Sequence, residues 1–184
     1  MPPTDATPAG PRLNAMPAAP AAVPLGPDLL LVQHADPAGS GAEGLLTNAY
    51  GVAAEGGATL WVDAAFPQVL PAVARAAADG YRPAGLLLTH RHVAANARAV
   101  RAFVEAFGGP VFLHPADAAH PQAVAAARQG GVRYEDPATS DVLRAAGVEV
   151  IAFPGHTEGS VLLYRAADGG TLLTGDAAMG TTVD

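Results

Sequence analysis

The run Leu86-Leu87-Leu88-Thr89-His90-Arg91-His92 constrains this chain more than any other stretch. An unbroken apolar run leaves no polar face for water, so it is expected to form a strand buried on both sides. It stops at two histidines one residue apart. Side chains alternate along a strand, so residues i and i+2 point the same way. His90 and His92 are therefore expected to aim at one point beyond the strand end, with Arg91 turned to the opposite, solvent side. Two neutral imidazoles converging in this way suit a metal ion.

Bulk properties narrow what such a site could serve. A chain of 184 residues is expected to form one domain with a sizeable core. Half the residues are apolar and only 5% aromatic, so that core is built mainly from Ala, Val and Leu. A net charge of −7 argues against nucleic-acid or anionic-membrane partners, which need a basic face. With no cysteine, thiolate ligands and cysteine nucleophiles are excluded, and any metal must be held by His, Asp or Glu. No apolar run approaches the ~20 residues of a membrane span, and no secretory signal is visible. A soluble, cytoplasmic protein is the expectation.

Residues 1–27 are rich in Pro and Ala and nearly uncharged, and are expected to be a disordered leader. The folded domain is expected over 28–184. Leu29–Val32 has the composition of a first strand, and the Gly-rich Pro37–Gly44 that of a loop. Residues 45–52 and 59–63 flank a Gly turn, as in a hairpin. Asp63 ends the second of these strands, as a turn residue or as a brace for the histidine loop. Helices are expected over Pro67–Asp79, where Gly80 stops the chain, and over Asn96–Phe107, where Val100, Phe103, Val104 and Phe107 recur at helical spacing. A strand at Val111–Leu113 and a helix over Pro121–Arg128 follow. Asp141–Ala146 fits either a helical turn or a hairpin. Three strands close the chain, at 148–153, 160–165 and 171–174. Strands alternating with helices spell an α/β fold. Trp61 and Tyr50 are expected in the core, His114 as a structural residue at a strand end, and His34 and His120 in loops.

Two more strand ends carry polar groups. In Pro154-Gly155-His156-Thr157-Glu158-Gly159-Ser160, glycines on both sides let the backbone turn and present the imidazole, with hydroxyls at hand to orient it. In Thr174-Gly175-Asp176 a carboxylate follows an apolar strand directly. Together these stretches resemble the metallo-β-lactamase fold superfamily, which includes glyoxalase II-type thioesterases and lactonases. Thr89-His90-Arg91-His92 is similar to the start of its T-H-x-H-x-D-H signature, residues 154–160 to its P-G-H-T-x-G-S loop, and Thr174-Gly175-Asp176 to its bridging-aspartate loop.

The resemblance implies a sandwich of two mixed sheets with helices outside, and a metal bound by His90, His92, His156 and Asp176. It also shows departures. Ala94 and Ala95 stand where the signature has Asp and His, and the sequence ends eight residues after Asp176, ahead of the family's distal histidine. A dinuclear centre of the usual kind is not expected. A mononuclear zinc on three histidines is, with Asp176 binding the metal or holding its water, whose pKa such a zinc brings to about 7. The function implied is hydrolysis of an ester, thioester or lactone, a small-molecule substrate, slowed by the missing aspartate. Two rivals stand beside it: a non-catalytic relative that binds metal, ligand or partner, and a sulfur dioxygenase-like enzyme holding iron on His90, His156 and Asp176. The short second half is expected to leave a sheet face uncovered, so that the chain is a fragment or is stabilised as a homo-oligomer.

Overall fold

The computed structural model describes residues 20–36 and 45–178. Most of the expected leader and the Pro37–Gly44 loop lie outside the described residues. In chain order the elements are β1 (Ala22–Gly26), β2 (Leu29–Asp36), β3 (Leu45–Ala53), β4 (Ala58–Val62), α1 (Leu70–Ala78), β5 (Arg82–Leu87), α2 (Arg91–Ala94), α3 (Ala97–Phe107), β6 (Val111–Phe112), α4 (Pro115–Ala118), α5 (Pro121–Gly130), β7 (Tyr134–Glu135), α6 (Asp141–Ala145), β8 (Val148–Ala152), β9 (Val161–Arg165) and β10 (Thr171–Leu173).

Seven strands form one sheet in the order β1-β2-β3-β4-β5-β6-β7, antiparallel as far as β4 and parallel from there on. The change of direction falls where α1 first carries the chain over the sheet, since a parallel neighbour needs a crossover. Strand alternation divides the sheet's apolar residues between two cores. Trp61, Leu86, Leu88 and Val111 point to one face and pack with Val73 of α1, with Val100 and Phe103 of α3, and with Ala123 of α5. Leu60, Val62, Leu87 and Phe112 point to the other and meet Val161, Leu163 and Leu173. The apolar run at 86–88 is thus buried on both sides, as its composition required.

The second sheet, β10-β9-β8, contributes the far wall of that second core. Two mixed sheets were expected; this one is antiparallel throughout its described strands. On its inner face Val161, Leu163 and Leu173 are buried and Val148 and Val150 partly so, whereas Ile151, Tyr164 and Leu172, which share the outer face by register, are 37–50% exposed.

Three local expectations need correcting. The leader does not extend to residue 27, because Ala22–Gly26 is a strand paired antiparallel with β2. Pro24 is tolerated there because, among the described strands, β1 is a sheet edge with no second neighbour to receive an N–H. His34 is no loop residue but a buried member of β2, packed against Phe66 with the rings tilted and their centroids 4.5 Å apart. The helix expected from Pro67 starts at Leu70, and Gln68 before it donates to the Ala35 carbonyl at 2.8 Å. Residues 141–145 resolve as a helix, capped by the Ser140 hydroxyl accepting from Leu143 N–H at 3.2 Å.

Candidate metal centre

The three histidines meet at the ends of β5 and β8. His92 Nδ1 lies 2.9 Å from His156 Nε2, and one ligating nitrogen of each ring lies within 4.8 Å of those of the other two. The rings stand nearly perpendicular to one another, with centroids 4.7–5.3 Å apart. Asp176 joins them, its Oδ2 3.4 Å from His90 Nε2 and 3.5 Å from His156 Nε2. All four residues named from the sequence are therefore brought together.

The route to that convergence differs from the one expected. The strand stops at Leu87, His90 sits just before a one-turn helix, and His92 lies inside it. The pair converges at a switch from strand to helix, not by alternation along a strand. Arg91 consequently does not face solvent. Its side chain is 19% exposed and pairs with Asp117, which is fully buried.

The His90 ring is held from behind. At the end of β4, Asp63 adopts a positive φ of 52° and accepts from Thr89 twice, Oδ1 from the backbone N–H at 2.8 Å and Oδ2 from the hydroxyl at 2.7 Å. The Thr89 oxygen retains lone pairs, and His90 Nδ1 is 3.0 Å from it. An N–H donated there leaves His90 Nε2 unprotonated and turned toward the cluster, the tautomer a metal requires. Of the two readings for Asp63, the brace is the one observed. The Asp176 loop packs on the same threonine: a Cβ on Gly175, whose φ is +49°, would lie 2.6 Å from Thr89 Oγ1.

The hydroxyls beside His156 hold its loop rather than its ring. Ser160 Oγ accepts from Thr157 N–H at 2.9 Å, and Thr157 Oγ1 donates to Asp117 Oδ2 at 2.6 Å. Asp117 was missed in the sequence. It belongs to a four-residue helix too short to show periodicity, and its only signal was a lone acid just beyond an apolar strand.

Electrostatics favour neutral ligands. Burial pushes the His90 imidazole down to about 4, an effect that Asp176 opposes and that His156 and His92 reinforce. His92 is lowered too, by burial and then by His156 and Arg91. Burial drives the Asp63 carboxyl up to about 7 against its bonds from Thr89. Burial also acts to raise Asp117, but hydrogen bonds from Thr157, Arg91 and Gly159 outweigh it and hold this group below its ordinary value.

The donor set fits one divalent ion. Two nitrogens on a tetrahedral zinc stand about 3.3 Å apart, given bonds of about 2.0–2.1 Å; the nitrogens here, 2.9 Å apart for His92 and His156 and within 4.8 Å overall, bracket that spacing. A second ion finds no ligands at the signature positions. Ala94 is fully buried in the helix-side core and Ala95 is exposed, and neither can donate. A cleft of about 300 Å³ opens beside the cluster, lined by His90, His92, Asp63 and Asp176 together with Thr47, Asn48, Tyr50, Asn96 and apolar residues that include Leu46, Phe66 and Leu173. Trp61 is core as expected, whereas Tyr50 reaches the cleft wall.

No protein-family model matches this chain, and no curated protein matches it significantly. Solved structures do. The chain is similar to the B3 metallo-β-lactamase BLEG-1 at 23% identity and a TM-score of 0.53, over 82% of this chain and 73% of that one. It is similar to the metallo-β-lactamase DIM-1 at 16% and 0.57, over 85% and 75%, and to a metallo-β-lactamase from Erythrobacter litoralis at 18% and 0.52, over 79% and 61%. Likeness at such identities carries the fold and not the activity. The two-sheet sandwich, the two histidine-bearing turns and these neighbours agree: the chain has the metallo-β-lactamase fold.

Proposed function

We propose that this chain is a metal-dependent hydrolase that holds a single zinc ion on His90, His92 and His156 and acts on an ester, thioester or lactone. The observation that carries the reading is the meeting of three imidazole nitrogens within 4.8 Å at the mouth of a cleft. When bound, the ion supplies Lewis acidity and a water that ionises near neutral pH. The chain's own groups do the rest. Thr89 and Asp63 fix the His90 tautomer. Asp176, 3.4–3.5 Å from two of the imidazoles, would accept a hydrogen bond from a water held there and take its proton. With alanine at position 94 no second carboxylate shares that task, and a missing acid–base group typically costs about 10²–10⁴-fold in rate.

The cleft also bears on the substrate. Its described ionisable groups other than histidine and Tyr50 are two carboxyls, Asp63 and Asp176. No arginine is among its described lining residues, and six arginines are engaged elsewhere: Arg91 by Asp117, Arg101 by Glu105, Arg144 by Asp141 and Arg165 by Asp28, while Arg75 and Arg82 donate to the carbonyls of Pro20 and Gly56. A substrate carboxylate remote from the reacting carbonyl would lose water and gain no cation there. The zinc-loaded protein should therefore hydrolyse the 4-nitrophenyl methyl diester of adipic acid at least about tenfold faster, in kcat/KM, than the matching 4-nitrophenyl monoester, whose far end is ionised; 1.4 kcal/mol of unpaired charge is enough for that ratio. Equal rates would remove the charge argument, and no turnover of either ester would remove the hydrolase.

One rival has an observation behind it. His90, His156 and Asp176 also form a two-histidine, one-carboxylate set of the kind that holds ferrous iron. Metal analysis of protein purified without added metal separates the readings: zinc near one per chain supports hydrolysis, and iron with oxygen consumption supports the rival.

A further inference from the structure

Asp117 is not hydrogen-bonded to any of the three imidazoles, yet its side chain accepts hydrogen bonds from both histidine loops. Its oxygens divide the work evenly. Oδ2 accepts from Arg91 N–H at 2.8 Å and from the Thr157 hydroxyl at 2.6 Å. Oδ1 accepts from Arg91 Nη1 at 3.0 Å and from Gly159 N–H at 3.0 Å. Each oxygen therefore takes one donor from the segment carrying His90 and His92 and one from the loop carrying His156. Arg91 lies between the first two histidines in sequence, and Thr157 directly follows the third. The loops close tightly on this carboxylate: a Cβ on Gly159 would lie 2.6 Å from the Asp117 Cβ, so only glycine allows the approach.

We infer that Asp117 is a positioning residue that sets the distance between the His92 turn and the His156 turn, and so preforms the metal site before any ion arrives. The inference rests on the metal-site reading above for its purpose, but not for its geometry. A buried Arg–Asp pair often serves stability alone. Here the donors set a sharper condition. Two of the four are backbone N–H groups, Arg91 on Oδ2 and Gly159 on Oδ1, and neither can turn away. A carboxamide offers one accepting oxygen and one donating nitrogen. Asparagine at this position can serve one loop's backbone or the other's, never both.

The test is Asp117→Asn, compared with wild type by cobalt(II) affinity and ligand-field spectrum, and by amide hydrogen exchange of Arg91 and Gly159 in the metal-free protein. Cobalt affinity should fall about 10–100-fold, the range for loss of an outer-shell partner of a metal ligand. The ligand-field bands should shift, and at least one of the two amides should lose protection. A variant with wild-type affinity, spectrum and protection overturns the inference. If wild type itself takes up no cobalt, the metal reading falls and amide exchange alone decides this one: both amides still protected in the variant sinks it. Should Asp117→Asn not fold, Thr157→Val and Thr157→Ser replace it. The valine variant should lose cobalt affinity several-fold or, without cobalt uptake, Gly159 protection, and serine should restore either; valine indistinguishable from wild type counts against the inference.

Discussion

Replacing His156 with alanine should lower zinc affinity by well over the about 10–100-fold that loss of an outer-shell partner costs, while leaving the metal-free protein no less stable. The first half follows from ligand count, since His90 and His92 alone do not enclose an ion. The second follows from what clustering does without one. His92 Nδ1 and His156 Nε2 are only 2.9 Å apart, and His90 and His92 are both pushed down partly by their imidazole neighbours. Crowding three basic groups at a cleft mouth opposes protonation and adds no apolar burial, and the His156 side chain is 32% exposed, so little packing is lost with it. Thermal unfolding with and without zinc reads both halves. Wild type should be stabilised by about 2.7 kcal/mol at a free zinc concentration a hundredfold above Kd, and the variant by much less at that concentration. Equal zinc-induced shifts in the two proteins would mean the ion sits elsewhere.

Asp63→Asn should gain stability on wild type as pH rises, by about 1.4 kcal/mol per pH unit between pH 4 and 7, on the order of 4 kcal/mol in all. The carboxyl is pushed up to about 7 from 3.8, burial being the largest cause. Below pH 3.8 folded and unfolded chains both carry the proton. Between 3.8 and about 7 the unfolded chain ionises while the folded one keeps its proton, so stability falls as pH rises. What the raised group contributes is thus present below 3.8 and gone once pH has passed through 7. Asparagine does not titrate, and its carboxamide can still accept from Thr89 N–H and donate to Thr89 Oγ1. Urea unfolding of both proteins, metal-free, at several pH values gives the difference directly. Parallel stability profiles would show that Asp63 ionises as freely in the fold as out of it.

The candidate ligands were legible in the sequence because each stands close to the end of an apolar run, and apolar runs were the signal that located the strands. The path of the backbone between His90 and His92 was not. A one-turn helix carries no periodicity, so the segment continued on paper as a strand and Arg91 went to the wrong side. The same gap hid Asp117, whose importance lies in four donors drawn from segments 26 to 42 residues away. His34 was misplaced because β2 outlasts its apolar start, and pairing with β3 carries the strand through Gln33 and His34 whatever their polarity. Ala22–Gly26 was misplaced because proline suggests disorder unless its strand is known to be an edge. Sheet pairing, which joins residues distant in sequence, decided each of these last two cases.

Diffraction from crystals grown with zinc, recorded on both sides of the zinc absorption edge, tests the central claim most directly. One anomalous peak per chain is expected, about 2.0–2.1 Å from His90 Nε2, His92 Nδ1 and His156 Nε2, with an Asp176 oxygen or a water completing the shell. A strong peak bound by other residues, or none at those three nitrogens with zinc in excess, would contradict the account.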